Sequence, residues 1–354
     1  MTPSRFTDDL RRSRVVFAFG ALGDLSTELD ALGAKRALVL TTRGRLASLP
    51  SLTELLGECL AGVFAGAVEH VPVATVDAAR EELERSSADV CVAIGGGSSI
   101  GLGKILARDT GVSLVAVPTT YSGSEMTSIW GITDADGKRT GRDPRVAPRV
   151  VVYDPELTLA LSSDVSAASG MNAMAHAVEA LYAANASPMA LAIAEEAARL
   201  LNASLPRVVA LPGDRDARFY ALAGAYLAGR SLDLAAMGLH HRLCHVLGGT
   251  FGLPHAQTHA ALLPYVLAFN APAVPTALER LARAFGASDA VHAVATLGRT
   301  LGVAVPLSSL GFHPDDVDRA ADEAMVKPYA NPRKVVRQDV LRILTMALHG
   351  DSPA

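Results

Sequence analysis

DVCVAIGGGSSIGLGK (89–104) runs from an apolar, strand-like stretch straight through three glycines into a helical pattern. A strand, a glycine turn and a helix start, in that order, make up the first half of a βαβ unit. Working outward, RVVFAFG (14–20), RALVLTT (36–42), VEHVPVA (68–74), VSLVAVPTT (112–120) and RVVVYDP (149–155) read as further strands with helical patterns between them. These runs are apolar throughout instead of alternating, so they belong in a parallel sheet covered on both faces. Residues 1–155 are therefore predicted to form a doubly wound, Rossmann-like α/β domain, in which ligands bind beyond the strand C-termini.

Between Ile129 and Arg149 the rhythm breaks, and Asp136-Gly137, flanked by strand-like residues, predicts a β-hairpin. Past Asp154-Pro155 the strand patterns stop. Ala- and Leu-rich segments such as 173–183 and 189–202 carry helical spacing almost to the end. Residues 156–354 are thus predicted to be an all-α domain. Length supports the division, because 354 residues exceed what one hydrophobic core usually organises.

Half the residues are hydrophobic and 19% are charged, the balance of a well-packed enzyme rather than a disordered chain. A net charge of -4, with no long basic run, gives no footprint for nucleic acid or a membrane surface, so the predicted partners are small molecules. Cys59, Cys91 and Cys244 are odd in number and far apart, which excludes a disulfide framework. Met1 to Arg14 is polar and charged, without an apolar signal core, and the expected location is the cytoplasm.

The glycine triplet invites a nucleotide. Gly95, Gly96 and Gly97 remove side chains where a backbone must approach a pyrophosphate, and Ser98 and Ser99 open a helix whose N–H groups point at it. Taken alone, such a triplet is equally well a plain strand-to-helix turn. Its position after an apolar strand favours a dinucleotide. The strand ending in Thr41 and Thr42 lacks the acidic residue that would demand a ribose hydroxyl, so both NADH and NADPH are expected to serve. PTTYSGSEMT (118–127) follows another strand and would line the same sheet edge, making Thr119, Thr120 and Ser124 further cofactor contacts. On composition alone it is an ordinary Ser/Thr-rich loop.

Histidines gather in the helical half, at 176, 240, 241, 245, 255 and 259. Asn172 and His176 are one helical turn apart, as are His241 and His245, so each pair points one way. With His255 arriving after a Gly-Leu-Pro turn, three imidazoles can converge, a set suited to zinc or ferrous iron. The plainer alternative is a group of satisfied core histidines.

GGGSSIGLGK (95–104), PTTYSGSEMT (118–127), SGMNAMAHAVEALY (169–182), HHRLCHVLGGTFGLPHAQTHA (240–260) and NPRKV (331–335) together resemble the iron-type alcohol dehydrogenase superfamily, with its dehydroquinate synthase-like fold, over nearly the whole chain. TGRDPRVAPRVVVYDPELTLAL (140–161), Tyr121 and Gln257-Thr258-His259 resemble its maleylacetate reductase branch. That resemblance implies NAD(P)H-dependent reduction of the C=C bond of maleylacetate, a dicarboxylate, to 3-oxoadipate in the breakdown of aromatic compounds, by a homodimer. In metal-dependent members an Asp and three His hold the ion. The matching residues here are Asn172, His176, His241 and His255, and a neutral amide is a poor substitute for the carboxylate, so no metal is expected.

On this resemblance the enolate oxygen formed in the reaction would meet N–H donors from the histidines and Asn172. His245 is the first candidate for the general acid, with His241 as the alternative. His176, His255 and His259 are candidates for the substrate carboxylates. Tyr121, Lys327, Tyr329 and Arg333 are further substrate-binding candidates, although the C-terminal group reads equally well as a solvated helix start. Three rivals stand beside this reading: a metal-dependent alcohol or polyol dehydrogenase, a dehydroquinate synthase-type lyase, and a nucleotide-binding regulator without chemistry.

Overall fold

A computed structural model describes residues 13–135 and 137–353. Two compact units divide them, one ending at Ala160 and the other starting at Leu161.

The first unit is built on a six-stranded parallel sheet, as its apolar runs predict. Its strands are β1 (Arg14–Phe17), β2 (Ala37–Leu40), β3 (Leu60–Phe64), β4 (Val90–Gly95), β5 (Ser113–Pro118) and, last in the chain, β8 (Val150–Tyr153), in spatial order β1-β8-β5-β4-β2-β3. Every residue of β2, β4 and β8 is buried, which is why these strands show no polar alternation. Between β5 and β8, β6 (Ile129–Asp134) and β7 (Gly137–Arg142) pair antiparallel as the expected hairpin. Its turn residue Asp136 lies outside the described residues.

One predicted strand is corrected. Residues 68–74 are not a strand: His70 and Val71 turn with φ of 64° and 49°, and Pro72 caps the helix Val73–Ser86. Proline offers no N–H to a ladder. Instead Thr133 of β6 clamps the turn, its hydroxyl donating to the His70 carbonyl at 2.8 Å and its N–H to that of Val71 at 3.1 Å. The strand is LAGVF at 60–64, a half-exposed edge whose mixed burial weakened its hydrophobic signal.

The second unit is helical. Ser163–Leu181, Pro188–Ala210, Arg215–Leu234, Leu239–Thr250 and His255–Asn270 are its longest helices within residues 161–270. Ser163–Leu181 is buried almost all round from Ser166 onward, so the candidate site residues on it, Asn172 and His176, sit in a core and not on a surface. Leu243, Leu247, Leu262, Val266, Leu307, Phe312 and Leu344 hold the C-terminal helices on a shared apolar core. Among the described residues no helix is long and apolar enough to cross a membrane.

Candidate active site

In the first unit, Gly95 ends β4 and pairs with Pro118 at the end of β5, so the glycine loop and the Thr-rich loop leave adjacent strands. The Thr119 N–H donates to the Gly95 carbonyl at 3.0 Å. A Cβ at Gly95 would lie 2.4 Å from Ser99 Oγ, and one at Gly96 would lie 3.0 Å from the Thr120 side chain. Glycine is required because the chain folds closely on itself. The helix Gly97–Thr110 opens without a side-chain cap, and the buried Ser99 hydroxyl has no hydrogen-bond partner. Uncapped N–H groups, the positive end of a helix and an unsatisfied hydroxyl fit an anionic group such as a pyrophosphate.

The neighbouring polar residues have work inside the fold. The Thr41 hydroxyl is fully buried and donates to the Ile94 carbonyl at 2.8 Å. Thr42 caps the helix Arg43–Leu46 by accepting from the Arg45 N–H. Tyr121 is fully buried. Sequence reasoning passed over Lys104, which is 1% exposed and donates to the carbonyls of Ser124 (2.6 Å) and Ile129 (2.8 Å), to Thr127 Oγ1 (2.9 Å) and to Ser124 Oγ (3.2 Å). Its ammonium thus fixes the loop that carries Ser124. Glu125 is buried and accepts from the Tyr153 hydroxyl at 2.8 Å, and burial raises its carboxyl above the usual carboxylate range.

In the helical unit the predicted histidines converge. His176 comes from Ser163–Leu181, His241 and His245 from Leu239–Thr250, and His255 and His259 from His255–Asn270. The His259 ring lies 4.5 Å from that of His255, 4.9 Å from those of His240 and His241, and 5.8 Å from that of His176. The His245 ring stands 6.3 Å from both His241 and His255, near-parallel to the latter. Asn172, one turn before His176, is buried, as are His176, His240, His241 and His259, whereas His245 and His255 are half-buried.

Two hydrogen-bonded pairs organise the group. His176 Nδ1 and His241 Nε2 are 2.8 Å apart, and His241 Nδ1 donates to Glu179. His240 Nε2 and His259 Nδ1 are 2.9 Å apart. Burial, reinforced by neighbouring imidazoles, pushes both His240 and His259 well below the usual histidine range, so these two are neutral donors and acceptors. The outer nitrogens of that pair, His240 Nδ1 and His259 Nε2, have no hydrogen-bond partner. His240, Cys244 and His259 bring three metal-competent atoms within 4.8 Å of one another.

Glu179 and Asn331 were missed by sequence reasoning. Glu179 had one signal, its position three residues after His176 on the same helix face. Asn331 accepts from the Leu239 N–H at 3.4 Å and exchanges bonds with Asn270. The other C-terminal candidates divide differently. Arg333 donates to the Phe269 carbonyl at 2.9 Å and lies 4.2 Å over the Phe269 ring. Tyr329 packs on the apolar core, whereas Lys327 is exposed.

Family models match both units: "Iron-containing alcohol dehydrogenase" over residues 12–155 and "Fe-containing alcohol dehydrogenase family, C-terminal" over residues 166–348. The chain belongs to this family. Among full-length relatives, the maleylacetate reductase of Sphingobium indicum is 47% identical and that of Burkholderia cepacia 46%, each over 99% of both chains. The crystal structure of maleylacetate reductase from a Rhizobium strain superposes with a TM-score of 0.93 at 42% identity, covering 98% of this chain and 99% of that one. An iron-containing alcohol dehydrogenase family member of this kind is an oxidoreductase that works with a nicotinamide cofactor.

Proposed function

We propose that this chain reduces the carbon–carbon double bond of maleylacetate to 3-oxoadipate with NADH or NADPH, and that it does so without a metal. The full-length maleylacetate reductases at 42–47% identity support the substrate. The observation that carries the metal-free part is the bonding of His241. Both of its ring nitrogens are engaged, one by Glu179 and one by His176, and the residue one turn before His176 is the neutral amide Asn172. A divalent ion would have to break a protein hydrogen bond and would find no carboxylate at Asn172.

Gly95, Gly96, Gly97, Ser98 and Ser99, with Thr119 and Thr120 beside them, would hold the cofactor's pyrophosphate. When bound, the nicotinamide supplies the hydride that adds to the alkene carbon remote from the ketone. Negative charge then grows on the ketone oxygen, and preorganised N–H donors stabilise it best. Asn172 and His259 suit that role, because an amide and a neutral imidazole each offer an N–H in a buried setting. The adjacent carbon needs a proton. With His241 committed on both sides, we assign this step to His245, within ring contact of His241 and His255. His176 and His255 are assigned to the substrate carboxylates. Thr41 donates its hydroxyl within the fold and Thr42 caps a helix, Arg333 holds the Phe269 carbonyl near the end of the helix that carries His255, and the buried Tyr329 hydroxyl has no hydrogen-bond partner.

The decisive experiment follows the loss of nicotinamide absorbance when chelator-treated protein meets freshly made maleylacetate. Turnover unchanged by added iron or zinc is expected with either cofactor. Activity that returns only with metal, or only with simple alcohols, would move the chain to the metal-dependent alcohol dehydrogenases. A homodimer in the cytoplasm completes this reading, and light scattering on purified protein tests the dimer.

A further inference from the structure

We infer that Glu179 is a positioning residue that sets the direction of the hydrogen bonds through His241 to His176, and thereby decides which ring nitrogen of His176 carries the proton. The inference deepens the proposed function and rests on it for its kinetic part. Glu179 lies on Ser163–Leu181 with a side chain 1% exposed, and its carboxylate makes three bonds. Its Oε1 accepts from the His240 N–H at 2.9 Å, and its Oε2 accepts from the His241 N–H at 3.4 Å and from His241 Nδ1. The helix Leu239–Thr250 has no side-chain cap of its own, so Glu179 caps it from another helix and places an anion at its positive end. Gly238 makes room for this. A Cβ there would stand 3.2 Å from Glu179 Oε1 and 2.7 Å from the Ala330 carbonyl.

The proton order follows from donor counting. An ionised carboxylate only accepts, so the hydrogen toward Glu179 belongs to His241 Nδ1. A neutral imidazole has one N–H, which leaves His241 Nε2 as an acceptor. The 2.8 Å bond to His176 must then use a hydrogen on His176 Nδ1, and His176 Nε2 carries the lone pair. One carboxylate thus fixes two imidazoles in sequence. Any proton the chain takes up enters at His176 Nε2, with the Glu179 charge one ring away to balance it.

The test is nuclear magnetic resonance of ¹⁵N-histidine-labelled protein, combined with kinetics of Glu179→Gln. In the unsubstituted protein His241 and His176 should both show the Nδ1–H pattern. In Glu179→Gln the amide donates to His241 Nδ1, both rings reverse, and His176 should show Nε2–H. Because His176 is assigned to a substrate carboxylate, we expect kcat/KM for maleylacetate to fall roughly 10²-fold, with a raised KM as part of the loss. An Nε2–H pattern on either ring of the unsubstituted protein would overturn the inference, whether or not the variant folds. So would a variant with reversed rings and undiminished kcat/KM, or one that only melts earlier, since a plain helix cap predicts no more. Failure of the unsubstituted protein to turn over maleylacetate would count against the proposed substrate and leave the resonance result to judge Glu179.

Discussion

Two buried polar groups in this chain are built in opposite ways. Around Lys104, a buried ammonium meets two carbonyls and two hydroxyls, and the loop 124–129 closes over it. In the histidine group, the His240–His259 pair satisfies its inner nitrogens and leaves His240 Nδ1 and His259 Nε2 without partners. Two neutral imidazoles sharing one hydrogen bond always retain an outer N–H on one ring. Leaving such a donor unmet inside a protein costs free energy. A polar group whose bonds are spent within the chain holds the fold together, whereas one with an open end is suited to meet a ligand. By that criterion, Lys104 holds the fold together, and the His240–His259 pair is the candidate for meeting a ligand.

Substitutions that keep volume but remove polarity break this comparison most directly. Lys104→Met should cause the largest loss of stability, because it leaves several buried acceptors unmet at about 1–3 kcal/mol each. Denaturant unfolding should show a deficit on the order of 4 kcal/mol. His259→Phe should behave oppositely, with stability within about 2 kcal/mol of the parent and turnover of maleylacetate down by roughly 10²-fold. If His259→Phe unfolds like Lys104→Met while the folded fraction keeps full activity, the distinction fails.

A smaller effect is expected at the glycine loop. Gly95→Ala drives a Cβ into Ser99 Oγ, and strain of about 1–3 kcal/mol should weaken nicotinamide nucleotide binding by roughly tenfold in a fluorescence titration. Ser99 would have to move, and that movement is what the titration reads.

The mildest tests use pH. His240 and His259 are held neutral in the fold while their unfolded counterparts bind protons below about pH 6.5, so their contribution to stability is lost as pH falls through that value. His259→Phe should flatten this acid loss. Glu125 has the opposite sign. Its folded carboxyl keeps its proton to higher pH than the unfolded one, so its contribution declines as pH rises above about 4.5. Glu125→Gln should therefore cost under about 1 kcal/mol near neutrality and remove that slope, as melting curves across pH would show.

The chain's own order determined much of this. Apolar runs made the parallel sheet legible, a glycine triplet after a strand marked a tight strand-to-helix turn, and helical spacing aligned Asn172 with His176 and His241 with His245. These are local signals, set by backbone sterics and by periods of two and 3.6 residues. The edge strand 60–64 escaped because half-burial blurs such a period, and Pro72 ended the run mistaken for it. Only the tertiary structure joined Glu179 to His241, 62 positions later, brought Arg333 to the Phe269 carbonyl, and set His259 among four other rings. Contacts between separate helices depend on how the helices pack, and no periodicity within one segment encodes which polar atom of another will face it.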